Sequence, residues 1–175
     1  MKTTTIAADF SLPGIDGRTC SLDSFKDAKA LVIVFSCNHC PYVQAYEGRL
    51  VQLQKEYAAK GVRLVAINSN DAVNYPEDSF GEMKKRAEAK GFNFPYLRDE
   101  TQLTAKAYGA THTPHLFVFG PDRKLAYTGK IDDDWQQPAN VKKQYLREAL
   151  DDLLAGRPVR EPETHAIGCT IKWKR

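Results

Sequence analysis

The stretch that most constrains this chain is 31–43, Leu-Val-Ile-Val-Phe-Ser-Cys-Asn-His-Cys-Pro-Tyr-Val. Its apolar start is short and rich in β-branched residues, which predicts a strand buried on both faces over Leu31–Phe35. Beyond Cys40 the apolar residues fall at Val43, Tyr46, Leu50, Leu53 and Tyr57. Steps of three and four predict one buried face of a helix, stopped at Gly61. Cys37 is thus expected where a buried strand passes into a helix N-terminus. Unpaired N–H groups there favour negative charge, and thiolate is the nucleophilic form of cysteine. A second thiol three residues on can resolve a mixed disulfide formed at the first. The sequence therefore reads as a dithiol–disulfide device, with a pair of zinc ligands as the alternative for a bare Cys-x-x-Cys.

Composition narrows the partners. At 175 residues a single domain, 1–175, is expected, with 157–175 as an extended tail packed on it. The net charge of +3 is too mild to imply nucleic acid. No apolar run is long enough for a membrane span, and the N-terminus lacks the apolar core of a signal peptide. A cytoplasmic location is the expectation. Four cysteines in a reducing compartment argue for redox or metal chemistry rather than a structural disulfide framework.

The other segments complete an α/β pattern. Ala8–Phe25 predicts two short strand pieces around an Asp16-Gly17 turn, with Cys20 a small apolar core residue. Val62–Asn68 predicts a second buried strand. The polar stretch after it, at the strand's carboxyl end, reads as a loop beside the site. Ser79-Phe-Gly-Glu82 is a capping box opening a helix. Phe94–Leu97, a helical turn at Gln102–Tyr108 and a hairpin over Leu116–Phe119 and Leu125–Thr128 follow. Pro138 is expected to open a last helix whose stripe is Val141, Tyr145, Ala149, Leu150, Leu153 and Leu154. Strand, helix, strand, helix, hairpin, helix is an α/β order.

Cys37-Asn-His-Cys40 after a strand, with Thr113-Pro114 far downstream before a hairpin, resembles the thioredoxin-fold redoxin family. That group includes alkyl hydroperoxide reductase/thiol-specific antioxidant proteins and thioredoxin-like oxidoreductases. The resemblance covers most of Ala8–Leu154. It implies a central mixed β-sheet flanked by helices, with an N-terminal strand extension and a C-terminal tail. It implies Cys37 as attacking thiol, Cys40 as resolving thiol and Pro114 as a cis-proline shaping a substrate groove. There an extended peptide pairs with the Thr113 backbone. His39 stands where strongly oxidising relatives carry histidine, and a cationic imidazole there favours the thiolate. The substrates implied are protein or small-molecule disulfides, with a thiol reductant or oxidant as partner and no cofactor or metal.

Departures from the family pattern are visible. The buried acid that thioredoxins carry six residues before the first cysteine is Leu31, so a proton acceptor must come from elsewhere, with Asp132 and Glu77 as candidates. The peroxiredoxin pattern Pro-x-x-x-Thr-x-x-Cys places Ala30 and Val34 where proline and threonine belong. Thiol-dependent peroxidase activity is thus the second reading. Metal binding is the third, with Cys37, Cys40, His112 and His115 of the right chemistry for tetrahedral zinc.

Cys169 carries two readings. It alternates with Ile171 and Trp173, the period of a half-buried strand, which makes it a packing thiol. The segment from Gly156 is long enough to return to the cysteine end of the sheet, which makes Cys169 a candidate third redox thiol. The glycine before it permits a close backbone approach.

Overall fold

The computed structural model describes residues 6–175. Five strands form the main sheet in the order β5–β4–β3–β7–β8: β3 Ala30–Ser36, β4 Val62–Asn68, β5 Tyr96–Arg98, β7 His115–Phe119 and β8 Leu125–Gly129. β3 lies at the centre, parallel to β4 and antiparallel to β7. All seven of its residues are buried, as a strand covered on both faces requires.

Alternation along β3 divides the core in two. Val32 and Val34 face a cluster that includes Tyr46, Leu50, Leu53 and Tyr57 of α1 (Pro41–Tyr57), Met83 and Ala87 of α2 (Phe80–Lys90), and Leu146, Ala149 and Leu150 of α4 (Tyr145–Leu154). Leu31, Ile33 and Phe35 face the other cluster. There they meet Phe10 and Leu12, the helix α3 (Leu103–Tyr108) and Ile171 of the tail. β1 (Ser11–Pro13) and β2 (Thr19–Ser21) pair antiparallel beside that second face, and Cys20 packs against it.

Helix boundaries follow local chemistry. Gly61 and Gly91 take left-handed conformations, with φ of 88° and 64°, behind α1 and α2. Ser79 accepts from the Glu82 N–H and caps α2. The last helix departs from expectation. Pro138 opens only a 3-10 turn over Pro138–Asn140, and α4 begins at Tyr145. Val141 is therefore outside the stripe, and Leu146 is the fully buried residue that takes its place. Proline's fixed φ suits the start of any helical turn, and the turn ends where Val141 takes an extended conformation, φ −64° and ψ 124°.

The tail is built into the domain. Thr128 N–H donates to the Pro162 carbonyl and Thr164 N–H to the Thr128 carbonyl, both at 3.0 Å, so the chain runs along the β8 edge. It then forms β9, Cys169–Thr170, antiparallel to β6, His112–Thr113. No helix among the described residues is long and apolar enough to cross a membrane.

Candidate active site

β3 ends at Ser36, and the polypeptide turns through Cys37, Asn38 and His39 before α1 begins at Pro41. Cys40, not Cys37, is the N-cap of that helix, with Pro41 in its first turn. Thr113, joined to Pro114 by a cis peptide bond, lies against both cysteines. Its hydroxyl is 3.4 Å from Cys37 Sγ, and its carbonyl oxygen is 3.4 Å from Cys40 Sγ. Cys37 is 2% exposed and Cys40 1%.

The loop between the cysteines is held by residues that motif reading missed. Asn38 N–H donates to Asp78 Oδ1 at 2.7 Å, Asn38 Nδ2 to the Glu77 carbonyl at 2.9 Å, and Tyr96 OH to Asn38 Oδ1 at 2.8 Å. Gln44 Nε2 donates to the Asn38 carbonyl at 3.0 Å. Asp78 has no exposed surface, and its carboxylate also accepts from Asn68 Nδ2 and Asn70 Nδ2. Each donor supports a buried negative charge that would otherwise be costly. The polar stretch after β4 is therefore more than a loop. It seats a fully buried carboxylate next to Cys37. Asp132, an expected proton acceptor, is instead engaged by Tyr46 OH and Arg49, at 2.7 Å each. Glu77 lies by its side chain near His39.

Charge on the thiols is distributed opposite to the sequence expectation. Cys37 is pushed well above its ordinary range, by its hydrogen bond with Cys40, by burial and by the Asp78 carboxylate. Cys40 is pushed down to about 4, first by the Cys37 thiol, with help from the Cys169 thiol and the N–H groups of Val43 and Cys169 against its burial. The helix start adds to this: Cys40 is the N-cap residue of α1, and the Val43 N–H of its first turn lies toward the Cys40 sulfur. Of the two thiols, Cys40 is thus the one shifted toward the thiolate and Cys37 the one shifted toward the thiol.

His39 turns toward carboxylates. Its Nδ1 lies 3.0 Å from Asp78 Oδ2, without hydrogen-bond alignment, and its Nε2 lies 3.7 Å from Glu77 Oε1. The ring faces those two acids. A cleft of about 310 Å³ opens beside it, lined by Asn38, His39, Glu77, Glu82, Lys85 and Arg86. A groove of similar size, about 320 Å³, lies at Arg49, Leu53 and Arg147 and contains no cysteine.

The expected zinc set is not assembled. His115 is buried in β7, its ring stacked on Phe117 and its nitrogens turned to the Thr111 N–H and the Thr128 hydroxyl. Burial, with the nearby His112, pushes it down to about 4. His112 Nδ1 faces the Thr111 hydroxyl at 2.8 Å. Among the described residues, the side chains whose ligand atoms could converge on a metal ion are Cys37, His39 and Asp78, within 4.8 Å of one another.

Cys169 reaches the site. Thr113 and Cys169 are register partners in the β6–β9 pair, and Cys40 Sγ and Cys169 Sγ are 2.8 Å apart. Burial, then Cys40, pushes Cys169 up to about 11. Gly168 makes this approach possible: a Cβ there would lie 2.0 Å from the Thr113 carbonyl oxygen and 2.7 Å from its carbon. Both are backbone atoms of a paired strand and cannot swing away. Gly168→Ala is therefore expected to lift β9 from β6 and cost roughly 1–3 kcal/mol. Denaturant unfolding checks the stability, and faster alkylation of Cys169 checks the displacement.

A central mixed sheet with a cysteine pair at the end of its middle strand, facing a cis Thr-Pro bond, places the molecule among the thioredoxin-like folds. The chain belongs to the AhpC/TSA family, whose model matches residues 3–128, a redoxin family of oxidoreductases. A hypothetical protein from Sinorhizobium meliloti 1021 is similar over 99% of this chain and 96% of its own, at 41% identity and a TM-score of 0.91. An uncharacterized conserved protein from Geobacillus kaustophilus is 48% identical, with a TM-score of 0.93, covering 99% of this chain and 93% of its own. The fold alone is shared with a putative thiol:disulfide interchange protein DsbE from Chlorobium tepidum, at 24% identity and TM-score 0.68 over 88% of this chain and 99% of that one. It is shared likewise with the peroxidoxin BcpB from Mycobacterium tuberculosis, at 23% identity and TM-score 0.61 over 89% and 95%. No curated protein matches the chain.

Proposed function

We propose that the protein is a thiol–disulfide oxidoreductase that exchanges electrons between its Cys37–Cys40 pair and protein or small-molecule disulfides, with a separate thiol reductant or oxidant restoring it. The observation that carries this reading is the joint contact of Cys37 and Cys40 with Thr113, beside the cis bond to Pro114. Two thiols with strongly divided acidity offer one ready nucleophile and one protonated partner that closes the disulfide behind it. Asp78, buried beside Cys37, is the natural acceptor for the proton that Cys37 must lose in closing the bond. His39 is a positioning residue in this reading, tying the loop to Glu77 and Asp78. A reducing, cytoplasmic setting belongs to the reading, because the scheme needs its thiols regenerated.

Peroxide is the weaker substrate. Ala30 and Val34, at the places of the peroxiredoxin proline and threonine, are buried in β3 and carry no hydroxyl. Any accessible thiolate still reacts slowly with peroxide. The deciding experiment is paired turnover of the reduced protein with insulin disulfides and with hydrogen peroxide, using dithiothreitol as reductant. The reading predicts disulfide turnover well above peroxide turnover. Peroxide reduction that outpaces disulfide reduction would overturn it in favour of a peroxidase.

A further inference from the structure

We propose that Cys169 is the outer thiol of a three-cysteine relay, receiving the external disulfide and passing it inward to Cys40 and then Cys37; this rests on the oxidoreductase reading above.

The first ground is access. Cys37 and Cys40 are 2% and 1% exposed, whereas Cys169 is only half-buried. The second is contact: Cys169 Sγ sits 2.8 Å from Cys40 Sγ, on the strand paired with Thr113. The tail thus occupies the position along Thr113 where an extended substrate peptide would pair, and it presents a cysteine there. The third ground is anchorage. Ile171 is 3% exposed in the core, and its N–H donates to the Thr111 carbonyl at 3.0 Å. Lys172 is held from three sides, by the Asp71 N–H, the Asn70 side chain and the Gln102 side chain, at 2.8–2.9 Å. The segment is a fixed strand rather than a flap that a substrate displaces.

Cys169 passes its proton to the Cys40 thiolate and attacks one sulfur of an external disulfide R–S–S–R′. This forms Cys169–S–S–R and expels R′S⁻, which takes the proton from Cys40. The Cys40 thiolate then attacks Cys169 Sγ, forming a Cys40–Cys169 disulfide and expelling RS⁻. Cys37 gives its proton up, ultimately to RS⁻, and attacks Cys40 Sγ. The Cys37–Cys40 disulfide forms and Cys169 leaves as thiolate. One disulfide is reduced outside by two electrons and one is formed inside.

The test uses oxidised glutathione on the full reduced chain, with peptide mapping after rapid acid quench. In Cys40→Ser, assayed at alkaline pH so that Cys169 ionises without the Cys40 base, glutathione is expected to accumulate on Cys169. In Cys169→Ser, formation of the Cys37–Cys40 disulfide is expected to slow at least tenfold, with the fold verified by circular dichroism. Glutathione on Cys37 in the first variant, or a wild-type rate in the second, would overturn the relay while leaving the Cys37–Cys40 reading intact. No Cys37–Cys40 disulfide in the wild type, at any glutathione ratio, would overturn both.

Discussion

Cys40→Ser is expected to abolish catalytic disulfide reduction, by at least about a thousandfold, or roughly 4 kcal/mol of barrier. Cys40 is the thiol whose pKa is pushed down, at the N-cap of α1 and within reach of Cys37 and Cys169. Serine keeps the size and the cap but is neither a thiolate nor able to close a disulfide. The loss should appear in turnover, and the variant should also lose the stability that the Cys40 thiolate supplies above about pH 4. The check is insulin reduction alongside a denaturant melt. Turnover retained within tenfold would mean that the exchange runs through Cys37 with some other resolving thiol.

The second large effect is on pH. One thiolate of the reduced protein should persist far below the ordinary cysteine pKa of about 8.5, titrating near the value of about 4 to which Cys40 is pushed. Cys37 and Cys169 should remain protonated above that ordinary value. The consequence for stability has a definite sign. Between about pH 4 and 8.5 the unfolded chain holds a proton at Cys40 that the folded chain lacks, so stability rises with pH. The slope is at most about 1.4 kcal/mol per pH unit. Above 8.5 the unfolded Cys37 and Cys169 ionise while their folded counterparts do not, and stability falls again. Thiolate absorbance and denaturant midpoints against pH, each compared with Cys40→Ser, measure both parts. A single thiolate titrating near 8.5 would contradict the charge distribution.

Much of this was legible in the residues, for identifiable reasons. The buried run before Cys37 and the steps from Val43 to Tyr57 carry the strongest periodic signals in the chain, and both elements formed as the pattern requires. Gly168 before Cys169 pointed to a close approach, and the tail makes that approach against Thr113. What the pattern could not carry was the helix start. Four residues of non-helical backbone, 37–40, separate β3 from α1, and that offset makes Cys40 rather than Cys37 the N-cap residue. Asp78 was invisible for a different reason. It is remote in sequence from the cysteines, and only the crossover from β4 through the Ser69–Glu77 stretch brings it under Asn38. His112 and His115 illustrate the converse. Their ligand chemistry is right, but alternation along β7 turns His115 onto Phe117 and Thr128.

The most direct test of the Cys37–Cys40 assignment is redox equilibration. The protein is held in glutathione buffers of graded ratio, quenched, alkylated and mapped by mass. A single two-electron transition is predicted, from all free thiols to a Cys37–Cys40 disulfide, with Cys20 and Cys169 alkylated at both ends. Persistence of every thiol across the full range, or an oxidised end state whose disulfide leaves out Cys37, would contradict it.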